Sequence, residues 1–167
     1  MAHLADIAKY PKTFGHQLPE YFSIAEFEAT DYNVDNTIED EVIYENARQF
    51  MLQILDPLRF AWTEYCIDNN LGSGAIEITS GYRSEELNKL VNGSKTSVHC
   101  IGFAADIKPK NKKMHMFQEF VPKWFTDNNI EFDQIIKEKP RNDTASWLHI
   151  GWKSRKGEQR KQIFTKV

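Results

Sequence analysis

The run Ser97-Val98-His99-Cys100-Ile101-Gly102-Phe103-Ala104-Ala105-Asp106-Ile107 changes character half-way along. Its first part reads as a loop that carries a histidine. From Gly102 it becomes a short apolar stretch, read as a buried strand. One acid, Asp106, interrupts that strand, and a carboxylate so placed is costly unless it is paired or bound to a metal. Successive strand side chains point to opposite faces, so Ala104 and Asp106 share one. Gly102 and the two alanines leave room for His99 to bend back toward Asp106. A second isolated histidine, His149, stands in Trp147-Leu148-His149-Ile150-Gly151, another apolar strand candidate.

Outward from this stretch the elements alternate in type. Ala75 to Ser80 alternates like a strand, and residues 84–91 read as a short helix capped by Ser84. Residues 112–128 read as a helix with Phe117, Phe120, Val121, Trp124 and Phe125 on one face and Pro122 at a kink or helix start. Phe132 to Glu138 and Ser146 to Trp152 read as a hairpin joined by the polar segment Lys139 to Ala145. Upstream, apolar positions from Ile43 to Cys66 recur every three or four residues, predicting helix from about Thr37. Asp56-Pro57 interrupts that pattern, so two helices abut there or one kinks, with Asp56 suited to an N-cap. The order implies an α+β fold, an antiparallel or mixed sheet with helices on one side. Residues 1–20 read as an N-terminal arm and 21–167 as one domain.

The chain has 167 residues, enough for one domain with a sizeable core. Its net charge of −3 gives no reason to invoke nucleic acid. No apolar run approaches the ~20 residues of a transmembrane segment. Met1 to Lys9 lacks a basic segment and contains Asp6, which predicts synthesis in a cytoplasm without a signal peptide. Two cysteines, Cys66 and Cys100, make no disulfide framework and read as small buried thiols of a reducing compartment. The acidic stretch from Glu20 to Glu45 reads as a solvated surface and a helix start. His3, His16 and His115 read as surface histidines. The tail from Lys153 is basic and reads as a solvated last strand and terminus.

Two histidines and one carboxylate, with a fourth position left for water, are the donor set of a catalytic zinc site. Taken singly, His149 reads as a half-buried histidine and Asp106 as a buried acid beside a donor. Together with His99 they are more specific.

At these residues the chain resembles a known family. Ser97-x-His99-x-x-Gly102-x-Ala104-x-Asp106 matches the SxHxxGxAxD motif of the zinc D-Ala-D-Ala carboxypeptidase family of metallopeptidases. The likeness is greatest to its small single-domain phage and bacterial branch. Ser80-Gly81-Tyr82-Arg83-Ser84, Leu87-Asn88, Val91-x-Gly93-Ser94, Phe132-Asp133-Gln134-Ile135-Ile136-x-Glu138 and Trp147-Leu148-His149 are similar to its flanking motifs, and Phe22 to Phe27 to its opening. The resemblance implies the hedgehog/D-Ala-D-Ala peptidase fold, with His99, Asp106 and His149 as zinc ligands. It implies that Arg83 contacts the substrate carbonyl and stabilises the oxyanion, and that Ser97 hydrogen-bonds within the site. Several members carry an acid three residues before the last histidine. Here that position is Ser146, so the general base falls to Glu138 or to Asp143. Glu138 is favoured, on condition that the hairpin register turns it toward His149. The implied activity is hydrolysis of a peptide bond in peptidoglycan stem or cross-bridge peptides, by a phage lytic or virion-associated enzyme that reaches the wall after release. The alternatives are a non-catalytic metal-binding module of the same fold and an intracellular D-Ala-D-Ala dipeptidase.

Overall fold

The computed structural model describes residues 17–139 and 146–167. The expected arm falls outside the described residues up to position 16. Within its last part, Leu18 is buried, and the amides of Glu20 and Tyr21 donate to the Asp56 carboxylate at 2.7 and 3.1 Å. Helix α1 (Ile24–Glu28) is capped by Ser23, whose Oγ accepts the Glu26 N–H.

The helix predicted from Thr37 starts later, as α2 (Glu41–Phe50). The N–H groups of Thr37 and Ile38 are taken by the carboxylates of Asp35 and Glu28 instead of by a helical turn. The first competent cap is Asp40, which accepts from Val42 and Ile43 at 2.8 and 3.0 Å. The helix then runs on through a π segment (Met51–Leu55) into α3 (Asp56–Asp68). That segment resolves the Asp56-Pro57 question. Pro57 has no N–H, and its ring would press on the carbonyl one turn back. Widening the turn to an i→i−5 bond, from Asp56 N–H to the Met51 carbonyl, lets the helix pass without a break. Asp56 is therefore no N-cap; its carboxylate is spent on the Glu20 and Tyr21 amides.

Strands β1 (Ile76–Ser80), β2 (Ala104–Pro109), β3 (Gln134–Glu138), β4 (Trp147–Gly151) and β5 (Gln162–Lys166) form one mixed sheet in the order β1-β2-β4-β3-β5. All pairs are antiparallel except β3 with β5. Between β1 and β2 lie α4 (Glu85–Leu90) and a 3₁₀ turn (Val98–Ile101), and α5 (Met114–Asp127) follows β2. Pro122 sits inside α5, not at its start. One sheet face carries Ala105, Ile107, Ile135, Leu148 and Ile150, buried in a single core with Phe50, Leu58, Trp62, Phe117 and Phe125 of the helices. Trp62 meets Phe117 edge-on at 5.1 Å, and Phe50 stacks on Trp152 at 5.9 Å. The α+β expectation, a mixed sheet with helices, holds.

The other face carries a row that crosses all five strands through consecutive register partners: Ser80, Asp106, His149, Ile136 and Phe164. Helices hold this sheet from behind, which leaves the row free to do chemistry.

Strand β5 is anchored by an ion pair. Buried Asp133 accepts from the Arg160 backbone N–H at 3.1 Å and from its Nε and Nη2 at 2.8 and 2.9 Å. The hydrogen-bonded Arg160 guanidinium holds the Asp133 carboxyl below the usual carboxylate range, against the opposing effect of burial. A carboxyl depressed in the native state stabilises fully above its unfolded pKa of about 4 and ceases to as pH falls through the native value. Asp133→Asn is thus expected to lower the melting temperature at pH 7 by on the order of 5 °C. Melting curves at pH 7 and pH 3 check this: the gap from wild type should shrink at the lower pH, and an equal gap at both would refute the ionic origin.

Candidate metal centre

The residues before β2 are shaped to deliver one imidazole. Ser97 Oγ accepts the His99 N–H at 3.3 Å, capping the 3₁₀ turn, and Asn46 of α2 donates to the Ile101 carbonyl at 2.9 Å. Gly102 ends the turn at φ +83°, where a Cβ would also stand 2.8 Å from the Ile43 carbonyl oxygen. No other residue satisfies both demands. At the end of β1, Gly81 lies so close to the Phe27 carbonyl that a side chain would collide with it. That closeness lets Tyr82 N–H donate to Phe27 O at 2.7 Å, and the Gly81 carbonyl sits 2.7 Å from His99 Nδ1.

The last contact fixes the tautomer. Nδ1–H donates to the carbonyl, so the Nε2 lone pair is the free one. His99 Nε2 is buried and has no hydrogen-bond partner. It lies 3.4 Å from Asp106 Oδ1, and His149 Nδ1 lies 2.9 Å from the same oxygen. The three ligand atoms fall within 4.8 Å of one another. Bonds of 2.0–2.2 Å at tetrahedral angles separate neighbouring ligands by roughly 3.3 Å, so the cluster suits such an ion. The orphaned, buried Nε2 gives the fit its physical reason, because a lone pair without a donor is costly there unless something accepts it.

The protonation states agree. Burial pushes His99 down, favouring the neutral ring. Burial alone would raise the Asp106 carboxyl, but the His99 and His149 rings beside it hold it far below its ordinary range. A neutral imidazole and an ionised carboxylate are the forms that ligate metal.

Around this cluster, Arg83 is held by three partners. Its Nε donates to Ser80 Oγ at 3.2 Å, Nη1 to Asn88 Oδ1 at 3.4 Å and Nη2 to Asp106 Oδ2 at 3.4 Å. Glu138 is paired with Trp147 and stands two residues beyond Ile136, which pairs with His149. The register therefore turns it to the His149 face. Burial raises its carboxyl, Lys166 opposes, and the Asp106 charge raises it again. Ser146 is buried. Asp143 lies outside the described residues. Cys100 is half-buried and lines a cavity with Arg83, not a core filler; Cys66 is buried. His115 is exposed, and His3 and His16 lie outside the described residues.

Sequence reasoning missed Asn36. Its side-chain amide donates to the Glu28 and Tyr82 carbonyls, and its oxygen accepts the Ser84 N–H at 2.6 Å. It locks the Arg83 segment, yet stands in an acidic polar stretch where nothing marks it as buried. Gly81, quoted as part of a motif, gave no sign that its carbonyl would orient His99.

A family model described as Peptidase M15 matches residues 20–135, over half of the chain. The match takes in Arg83, His99 and Asp106 and ends within β3, before Glu138 and His149. No curated protein matches the chain.

Proposed function

From the premise that this chain belongs to the peptidase M15 family, whose members are zinc metallopeptidases, we propose that it hydrolyses a peptide bond in peptidoglycan stem or cross-bridge peptides. The observation that carries this reading is the buried, partnerless His99 Nε2 converging with His149 Nδ1 on one Asp106 oxygen.

His99, Asp106 and His149 would hold the zinc, through those three atoms. When bound, zinc supplies Lewis acidity and makes water acidic enough to attack near neutral pH. Glu138 takes the proton of the attacking water as the carbon–oxygen bond forms. It returns the proton to the amide nitrogen as the carbon–nitrogen bond breaks. Its raised proton affinity suits it to both halves of the transfer. Arg83, steadied by Ser80, Asn88 and Asp106, donates to the carbonyl oxygen as that atom gains charge. Ser97 contributes by capping the turn that presents His99. No helix among the described residues is long and apolar enough to cross a membrane. A role for the chain as a phage lytic or virion-carried wall enzyme belongs to this proposal.

The test joins elemental analysis of the purified protein to mass spectrometry of digested wall fragments. About one zinc per chain and release of defined stem-peptide fragments are expected. Zinc without any cleavage would point to a metal-binding module instead. Chelation should also lower the melting temperature by about 5–10 °C, since an ion bound only by the native state adds stability in proportion to its occupancy. Coincident melting curves with and without chelator would contradict a bound ion.

A further inference from the structure

Beyond His149 the second sheet face opens into a cavity of about 580 Å³, within the range of small-ligand pockets. His149, Ser97, Gln134, Arg155, Lys156 and Glu158 line it. The pair Asp133–Arg160 also borders it, but those charges satisfy each other at 2.8 Å. Arg155 Nη2 donates to the Ser97 carbonyl at 3.1 Å, which seats the guanidinium beside the turn that presents His99. Among the described residues neither Arg155 nor Lys156 has an ion-pair partner. Glu158, the remaining acid of the lining, accepts from Ser154 Oγ at 3.4 Å. Two cations against one carboxylate leave the cavity cationic in a chain whose net charge is −3.

His149 adds a third donor. Its Nδ1 faces Asp106, so Nε2 carries the other ring position. That atom lies toward Gly151 and Val98, on the cavity side: a Cβ built on Gly151 would be 3.5 Å from Nε2 and 3.7 Å from Val98 Cγ2. Imidazoles that ligate metal donate their second N–H to a carbonyl, a carboxylate or water. His99 has the Gly81 carbonyl for this, whereas no described residue serves His149 Nε2.

We propose that this cavity is a subsite for a free carboxylate of the substrate, read by Arg155 with Lys156 and His149 Nε2–H. The inference rests on the hydrolase reading above and deepens it: the enzyme selects peptides that bear an anion at a set distance from the bond cut. Arg155 is the specificity residue, because its planar fork matches a carboxylate and its other hydrogen bond already fixes its place.

Three synthetic stem pentapeptides test this with the zinc-loaded protein: the parent, its C-terminal amide, and a form whose glutamate α-carboxylate is an amide. The parent should exceed one of the two amides in kcat/KM by about ten- to a hundredfold, the range of a charge-assisted hydrogen bond. Which amide suffers identifies the carboxylate. In Arg155→Gln that ratio should collapse toward one, and Arg155→Lys should keep part of it. Equal cleavage of all three peptides, or a ratio that survives in Arg155→Gln, overturns the subsite and leaves the hydrolase standing. If nothing is cleaved, the hydrolase reading fails separately, and calorimetric affinities for the same peptides decide. An affinity that falls on amidation in wild type but not in Arg155→Gln supports the subsite; equal or absent binding overturns it. Melting curves of both variants confirm that they fold.

Discussion

Asp106→Ala is expected to empty the metal centre and to reduce peptidase activity by at least about a thousandfold. Asp106 is the one group shared by everything around it. Its Oδ1 lies 2.9 Å from His149 Nδ1 and 3.4 Å from His99 Nε2, and its Oδ2 accepts from Arg83. Alanine at this position leaves two imidazoles with no anion between them, and a guanidinium with one partner fewer. Elemental analysis should find the variant depleted of zinc. The sharper check uses the melting temperature: chelator should shift wild type and leave the variant where it was. A variant that retains a full equivalent of zinc would show that the ion is held elsewhere.

Glu138→Gln is expected to separate binding from chemistry. The side chain shares the sheet face of His149 but is not among the three converging candidate ligands, so zinc content should match wild type. Turnover should fall by about 10²–10⁴-fold, the usual contribution of a positioned acid–base group, with KM little changed. The pH profile carries the sign. A base must be ionised to act, so kcat/KM falls as pH drops through its pKa. Burial and the charge of Asp106 raise that pKa, placing the acid limb above the ordinary glutamate value. The limb should vanish in the variant. Near-normal turnover would move the role to Asp143 or another group.

The His99, Asp106 and His149 cluster was legible in the sequence because its signal is chemical as well as periodic. An acid inside an apolar strand, with glycine and alanine where bulk would be expected, has few explanations. Register was not legible. Nothing in residues 139–145 says that Ile136 pairs with His149, yet this alone turns Glu138 to the useful face. The π segment was likewise hidden, since Asp-Pro reads equally as a cap or a kink. Only the tertiary demand of the Glu20 and Tyr21 amides for the Asp56 carboxylate decides it. Asn36 and Arg155 escaped for the same reason: each acts through backbone carbonyls 46–58 residues away in the chain, a relation that leaves no local pattern.

Strand β4 lies between β2 and β3 although it follows both in the chain. The middle of the sheet is therefore translated after its two neighbours, 43 residues beyond Asp106 in the case of His149. Until it inserts, those neighbours share no hydrogen-bonding partner and the carboxylate has one imidazole instead of two. A nascent chain leaving the ribosome cannot bring the three candidate ligands together before this insertion. Long-range pairing of this kind is a slow folding event, so assembly of the candidate site is timed to completion of the sheet.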